Sequence, residues 1–205
     1  SKIAPAVANN ILVNALVSND EFGPIMIGID VLNGKTLWET KLFPEPDKRF
    51  ISCLKRFGID YEQKGGNPWS GLAVDKKRGI AYVTTGDSHH NRKFSNKNAN
   101  SIIALNIENG DILWTFQEIS HDLWDLDLAG PPVLTSIKTP NSKNKMVDVV
   151  TAVSKSGNTI ILDRVTGKLV YPWRLEKTPM PISGNYPDTA AYFPNPILPE
   201  KILDQ

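Results

Sequence analysis

Short apolar runs separated by turn-forming residues follow one another along most of the chain. In three places two such runs occur in succession: PAVAN with ILVNALV, GLAVD with GIAYVTTG, and PPVLTSI with DVVTAVS. A β-branched run follows each pair, in the order IMIGI, SIIAL and TIIL. Apolar runs of about four to eight residues, bounded by glycine, asparagine or aspartate, are typical of β-strands. The pattern therefore predicts a β-rich chain, in which only Asp47 to Phe57 are expected to form a short helix.

A pattern of the form Asp/Asn-x-x-x-Gly-x-x-x-aromatic recurs three times after these runs. The copies run from Asp30 through Gly34 to Trp38, from Asn106 through Gly110 to Trp114, and from Asp163 through Gly167 to Tyr171. Glycine supplies the positive φ angle that a tight hairpin turn needs. Each copy therefore predicts a β-hairpin that completes a unit of four strands.

Repeated units of four strands are typical of the blades of a β-propeller. We expect one partial propeller domain over residues 1–205, with all-β fold and four-stranded antiparallel blades. The predicted segments are blades at 4–41, 66–117 and 128–174, a long connection at 42–65 and a proline-rich tail or loop at 175–205. Because propellers close with about four to eight blades, three blades predict a piece of a larger propeller or a ring that another chain completes.

The composition limits the partners and the covalent chemistry that are expected for this chain. The 23 basic and 22 acidic residues nearly cancel, so no net charge favours nucleic acid or an anionic membrane. The apolar runs fall short of the roughly 20 residues that span a bilayer. Cys53 is the single cysteine, which excludes an internal disulfide and a thiolate metal cluster. The opening residues SKIAPAV show no secretory-signal pattern.

Polar and aromatic residues are concentrated in a few loops between the predicted strands. The densest is HDLWDLD, from His121 to Asp127; the others are NPWSGLAVD, TTGD, VSKSGN and VSNDE. Trp69, Asp87, Asp125 and Lys155 follow one another at separations of 18, 38 and 30 residues. In this order and spacing they resemble the quinoprotein dehydrogenases, a family of eight-bladed propellers that bind pyrroloquinoline quinone (PQQ). The continuation Leu-Asp after HDLWD is most similar to the membrane-linked glucose and quinate dehydrogenase branch.

The resemblance implies roles for three residues around PQQ. Trp69 would lie flat under the quinone ring, because an indole face suits a planar, electron-poor ring. Lys155 would contact the quinone oxygens and stabilise negative charge on them. Asp125 would be the general base, with His121 and Asp122 fixing its loop and Trp124 packing under it. The alternative reading of Trp69 is a core residue, and that of Lys155 an exposed hairpin lysine.

The resemblance also implies a divalent cation, Ca²⁺ or Mg²⁺, with a lanthanide as an alternative. Asp87 stands where the family commonly has asparagine, and a carboxylate is a good ligand for a hard cation; a turn-capping aspartate is the competing interpretation. A second ligand is expected from Asn19 or Asp20. The spacing to Asp30 favours Asn19, whereas charge favours Asp20. Asp127 resembles the extra ligand of lanthanide-using members, but the glucose branch carries it too, so it does not decide the metal.

The function implied is oxidation of a sugar, polyol or alcohol by hydride transfer to PQQ, in the periplasm, with a quinone or cytochrome c as electron acceptor. The missing blades would be further partners, and no nucleic acid is expected. The alternative is a non-catalytic propeller scaffold for protein–protein interaction, of the kind used in outer-membrane assembly, or a pseudoenzyme. The acidic segment HDLWDLD favours the enzyme, because a scaffold has no reason to bury unpaired carboxylates.

Overall fold

A computed structural model describes residues 3–16, 23–43, 48–58, 66–87, 97–120, 122, 125–139, 145–177 and 192–196. Within them the chain forms antiparallel sheets and one helix. The predicted all-β architecture of four-stranded antiparallel blades is confirmed. No helix in these ranges has the length and apolarity needed to cross a membrane.

The first blade is a meander of four strands in chain order. They are β1 (Ala6–Ala8), β2 (Ile11–Leu16), β3 (Ile25–Asp30) and β4 (Thr36–Lys41). The turn between β1 and β2 consists of Asn9 and Asn10, with φ angles of 52° and 62°. Asparagine is one of the few residues that adopts this left-handed conformation readily, which suits a two-residue hairpin.

The second blade has the same topology. Its strands are β5 (Leu72–Asp75), β6 (Ile80–Thr84), β7 (Ser101–Asn106) and β8 (Ile112–Gln117). All residues of β6 and nearly all of β7 are buried. These two inner strands are continuous apolar runs because both faces of the sheet are covered by neighbouring blades, so the alternation of a half-exposed strand is lost.

The third sheet contains β9 (Val133–Lys138), β10 (Met146–Val153) and β11 (Thr159–Asp163). Its fourth member is reduced to one bridge, between Leu162 and Leu169. The chain then forms β12 (Trp173–Lys177), which pairs with β13 (Tyr192–Pro196) in a separate two-stranded sheet.

The strand β13 lies within the segment that the sequence predicts to be a proline-rich tail or loop. Pro194 and Pro196 are two positions apart, so both missing N–H groups belong to the same edge of the strand. Phe193 and Asn195, which pair with Glu176 and Arg174 of β12, keep their N–H groups on the opposite edge, which is how a strand tolerates proline. The helix α1 (Lys48–Arg56) agrees with the expected short helix, buries Leu54 and exposes Cys53.

The blades are joined by the aromatic residues of the repeat. The indole Nε1 of Trp38 in the first blade donates to the carbonyl of Ile107 in the second, at 2.7 Å. A Cβ atom on Gly110 would lie 2.5 Å from the Trp38 ring, and one on Gly167 would lie 2.6 Å from Trp114. Each tryptophan therefore packs on the turn glycine of the following blade, where no side chain fits.

The two junctions differ in their hydrogen bonds. The position equivalent to Ile107, three residues before the turn glycine, is Arg164 in the third blade. Its carbonyl accepts from the hydroxyl of Tyr82, at 2.8 Å, while Trp114 Nε1 has no hydrogen-bond partner among the described residues. Tyr82 also lies beside Trp114, with 5.9 Å between ring centroids. A tyrosine of β6 thus makes the contact that the tryptophan makes at the first junction.

Ion pairs reinforce the second junction. Asp75 contacts Arg78 at 2.7 Å and Arg164 at 3.1 Å, and Arg78 also contacts Asp148 at 2.5 Å. Burial alone would raise the pKa of Asp75, but the hydrogen bonds from both guanidinium groups outweigh it and hold the pKa below its usual value. The network holds β5 of the second blade to β10 and the β11 turn of the third.

Candidate functional site

The predicted site residues lie where several strands begin or end at the same side of the blades. Trp69 precedes β5, Asp87 follows β6, and Lys155 follows β10. Since β5 and β6 are antiparallel, the start of one meets the end of the other. The chain between the second and third blades, residues 118–132, also ends here, because Gly130 N donates to the carbonyl of Val153 at 3.2 Å. We call residues 118–132 the acidic loop.

The acidic loop is tied to the second blade by Asp122. Its Oδ2 accepts from Asn100 Nδ2 at 2.6 Å and from the N–H of Leu126 at 2.7 Å. This agrees with the supporting role predicted for Asp122. Asp125 lies between Asp122 and Leu126 in the chain and adopts a φ angle of 62°, in the left-handed region that aspartate tolerates. His121 and Trp124 lie outside the described residues.

Lys155 is the centre of the cluster. Its Nζ lies 2.9 Å from Asp125 Oδ2 and 2.7 Å from Asp127 Oδ2. Its backbone N–H also donates to the carbonyl of Asp127, at 2.9 Å. Burial alone would lower the pKa of Lys155, but the hydrogen bonds to Asp127 and Asp125 outweigh it and raise the pKa. The lysine therefore carries its positive charge throughout the neutral range.

Trp69 completes the cluster. The Lys155 ammonium lies over its ring, 5.7 Å from the centroid, within the range of a cation–π contact. The indole is 40% exposed, a large value for tryptophan, whose apolar area usually favours burial. Its Nε1 edge lies so close to Gly86 that a Cβ there would be 2.8 Å away. Gly86 thus holds one edge of the ring while much of the ring surface stays accessible.

Asp127 contacts both the loop after β6, through Asp87, and the lysine after β10, Lys155. Its Oδ1 accepts from the backbone N–H of Asp87, and its Oδ2 from Lys155. The Asp87 carbonyl in turn accepts from Gly66 N at 2.5 Å. Asp87 and Asp127 are both buried, so the Asp127 carboxyl group contacts Lys155 in a water-poor environment.

The described residues contain no group of three or more His, Cys, Asp or Glu side chains placed to hold a metal ion. Asn19 and Asp20, the predicted alternative ligands, lie outside the described residues. The Asp127 carboxyl group contacts the backbone N–H of Asp87, and both side chains carry the carboxylate oxygens that a hard cation prefers. Their roles as ligands, and the roles predicted for Trp69, Asp125 and Lys155, stay predictions.

One residue of this region, Glu118, was not predicted from the sequence. It is 4% exposed and follows β8 directly. Its Oε1 accepts from Asn158 Nδ2 at 2.7 Å, Ser154 Oγ at 2.9 Å and Ser156 Oγ at 3.0 Å. Burial raises the pKa of Glu118 to about 7 against the opposing effect of these hydrogen bonds. In the sequence the only signal is an acidic residue directly after an apolar strand, which usually marks an exposed strand end.

The arrangement suits one kind of ligand. An exposed indole beside a charged ammonium can bind a flat, anionic molecule, and Asp125, whose side chain is 53% exposed, can accept a proton from a group brought next to it. The structure brings Trp69, Asp87, Asp125, Asp127 and Lys155 into one cluster, although the chain separates the first from the last by a whole blade.

Comparison with known proteins agrees with the propeller architecture. Residues 1–199 match the protein family described as "PQQ: Glucose/ethanol/alcohol dehydrogenase, beta-propeller domain". Quinoprotein glucose dehydrogenase A of Acinetobacter calcoaceticus is 32% identical over 161 residues, which are 76% of this chain and 19% of the relative. The glycerol dehydrogenase large subunit of Gluconobacter thailandicus is 26% identical over 194 residues, 89% of this chain and 25% of the relative. The chain thus spans about a fifth to a quarter of these relatives' length.

Solved structures with the same fold include the quinohemoprotein alcohol dehydrogenase of Comamonas testosteroni. It aligns with a TM-score of 0.66 and 23% identity, over 95% of this chain and 31% of that chain. A europium-containing methanol dehydrogenase aligns with a TM-score of 0.61 and 22% identity, over 82% and 32%. At these identities the similarity shows the fold alone.

Proposed function

Because the chain belongs to the PQQ-dependent glucose, ethanol and alcohol dehydrogenase β-propeller family, we propose that it forms part of an enzyme that oxidises a sugar, polyol or alcohol with PQQ. The observation that supports this most directly is the convergence of Lys155 with Asp125, Asp127 and the exposed ring of Trp69. In this proposal Trp69 and Lys155 would bind the cofactor, and Asp125 beside them would accept the proton.

The residues present fit PQQ, a planar quinone that carries carboxylates. Trp69 would hold the plane of the cofactor, since its ring is partly exposed and edged by Gly86. Lys155 would bind the quinone oxygens, and its raised pKa keeps it cationic for that task. When bound, PQQ supplies an acceptor for the hydride that leaves the carbon of the substrate.

Asp125 would act as the general base. The carboxylate accepts the proton of the substrate hydroxyl at an Oδ atom, so that the electron pair of the O–H bond is available to form the carbonyl. Its 53% exposed side chain is accessible to a substrate, and the hydrogen bond to Lys155 fixes its direction. Asp127, held by Lys155 and by the N–H of Asp87, would keep the lysine in place.

Asp87, Asp127 and either Asn19 or Asp20 would hold a divalent cation, Ca²⁺ or Mg²⁺, with a lanthanide as the alternative. The remaining blades would complete the ring, and a quinone or cytochrome c would take the electrons in the periplasm. These features follow from the family resemblance; one relative of this chain is a quinate/shikimate dehydrogenase (quinone) of Acinetobacter baylyi.

A titration of the full-length protein with PQQ tests the proposed function. In the presence of Ca²⁺ or Mg²⁺ we expect quenching of tryptophan fluorescence with a saturable dissociation constant. Trp69→Leu should weaken PQQ binding by about tenfold, since it removes the stacking surface. Trp173→Leu is the matched control, because Trp173 packs on Phe116 at the buried cluster between the second and third blades; it should leave the affinity within about twofold. A wild-type protein that binds no PQQ with either metal would be a scaffold or a pseudoenzyme.

A second test concerns the cation. Asp87→Ala should raise the Ca²⁺ concentration needed for half-maximal PQQ-dependent turnover by about tenfold or more, because it removes an oxygen ligand. Asp87→Asn keeps an oxygen and should be affected less. Asp111→Ala, in an exposed turn of the same blade, is the control. If Asp87→Ala needs no more Ca²⁺ than the wild type, Asp87 is a turn-capping residue.

A further inference from the structure

Glu118 links the second blade to the turn that carries Lys155. Its N–H donates to the carbonyl of Asn100 at 2.9 Å, so its backbone belongs to the second blade. Its carboxyl group accepts from Ser154, Ser156 and Asn158, all of which lie in the turn between β10 and β11 of the third blade. We call residues 154–158 the lysine turn.

The two serines stand on either side of Lys155. Their hydroxyl groups contact Glu118 and each other, the latter at 2.6 Å, whereas the Lys155 ammonium contacts Asp125 and Asp127. Backbone hydrogen bonds from Ser154 N to Asn158 O, at 3.1 Å, and from Gly157 N to Ser154 O, at 3.1 Å, close the turn. A side chain that holds both flanking residues therefore also determines the direction in which the lysine leaves the backbone.

The contacts among Ser154, Ser156 and Glu118 need more hydrogens than the two serines supply. Ser154, Ser156 and Glu118 Oε1 form three oxygen–oxygen contacts, but two serines supply only two hydroxyl hydrogens. A proton on Glu118 Oε1 would provide the third, and Oε1 would then donate to one serine while accepting from the other. Burial, with a smaller effect of the nearby Asp122 charge, favours that protonated form. Glu118 Oε2 is buried and contacts no hydrogen-bond partner among the described residues, so within them the carboxyl group bonds the lysine turn through Oε1.

We propose that Glu118 is a positioning residue for Lys155, which through the lysine turn fixes the ammonium group between Asp125, Asp127 and Trp69. The relevance of this positioning for cofactor binding rests on the proposed function, but the positioning itself is a property of the protein without cofactor. Glu118 would touch neither cofactor nor substrate.

The first experiment measures the reactivity of Lys155 in the full-length protein without PQQ. Under limiting reductive methylation, Glu118→Ala should raise the methylation rate of Lys155 about threefold or more, because the ammonium group spends more time away from its carboxylates. Glu118→Gln, whose amide can both accept from and donate to the lysine turn, should restore a rate close to that of the wild type. Mass spectrometry of the peptide reports the rate.

Three controls separate positioning from loss of stability. Lys168 lies exposed in the same blade, and its rate should not change. Glu108→Ala removes an exposed glutamate of the second blade, and Val150→Ala weakens the buried cluster between the second and third blades without touching the lysine turn. Neither should raise the rate of Lys155. If Glu118→Ala does not fold, Ser156→Ala removes one contact of the same group and should also raise the rate.

The second experiment is a double-mutant cycle on PQQ affinity. Glu118→Ala should weaken PQQ binding about tenfold in the wild type but less than twofold in the Lys155→Met background, because its effect passes through the lysine. Unchanged methylation of Lys155 in folded Glu118→Ala, or equal losses of affinity in both backgrounds, would overturn the proposal. A wild type that does not bind PQQ would contradict the proposed function, while the methylation result would still decide the role of Glu118.

Discussion

Asp125→Asn is expected to leave PQQ bound and to lower turnover at least a hundredfold. Asparagine has the size of aspartate and can still accept a hydrogen bond from Lys155, which lies 2.9 Å from Asp125, but it cannot take up a proton at neutral pH. General-base catalysis contributes about a hundred- to ten-thousandfold to rate. The measurement is kcat of the full-length protein with saturating PQQ and Ca²⁺, together with the PQQ dissociation constant.

The control for this prediction is Asp111→Asn, which makes the same chemical change in an exposed turn and should leave kcat within about twofold. Turnover of Asp125→Asn within tenfold of the wild type, with PQQ bound, would show that another group takes the proton. A loss of PQQ binding in Asp125→Asn would instead assign the residue to holding Lys155.

Gly110→Ala is expected to destabilise the protein by about 3 kcal/mol or more, and Gly79→Ala by about 1 kcal/mol. Both glycines lie in turns of the second blade with similar φ angles, 77° and 66°, so the left-handed strain of about 1–2 kcal/mol is common to both. They differ in their surroundings: a Cβ on Gly110 would lie 2.5 Å from Trp38 and from Thr40, whereas none of the described atoms lies within 4 Å at Gly79. Overpacking adds about 1–3 kcal/mol.

Guanidinium denaturation of the two variants, compared with the wild type, measures this difference as a shift of the midpoint at unchanged slope. Equal destabilisation by both substitutions would show that Trp38 does not need the space over Gly110, and that the blades are held together by other contacts. A larger loss at Gly110 locates the junction of the first two blades at this contact.

Much of the fold could be predicted because its determinants are local. Apolar runs, turn glycines and the repeated aromatic specify strands, hairpins and four-stranded blades, and Gly34, Gly110 and Gly167 all have the positive φ that the turns require. The prolines of residues 192–196 argue against a strand, although β13 forms there. Proline is unfavourable in most strands and is tolerated only where its missing N–H has no partner.

The residues of the candidate site could likewise be predicted from the sequence only in part. Trp69, Asp125 and Lys155 were identified as a set from their order along the chain, and the structure places them together. Glu118 was not, because whether an acidic residue after a strand is exposed or buried depends on what the neighbouring blade presents. Here that blade presents two hydroxyl groups and an amide, which satisfy a carboxyl group that water cannot reach.

The sequence by itself determined the blades, the turns and the residue types of the site, because strand pairing within a blade and turn geometry depend on residues close together along the chain. Only the tertiary structure decided that Tyr82 rather than Trp114 contacts the Arg164 carbonyl, that Lys155 bridges Asp125 and Asp127, and that Glu118 holds the lysine turn. Each of these depends on distances between blades, and those distances follow from how side chains far apart in sequence fill the space between two sheets.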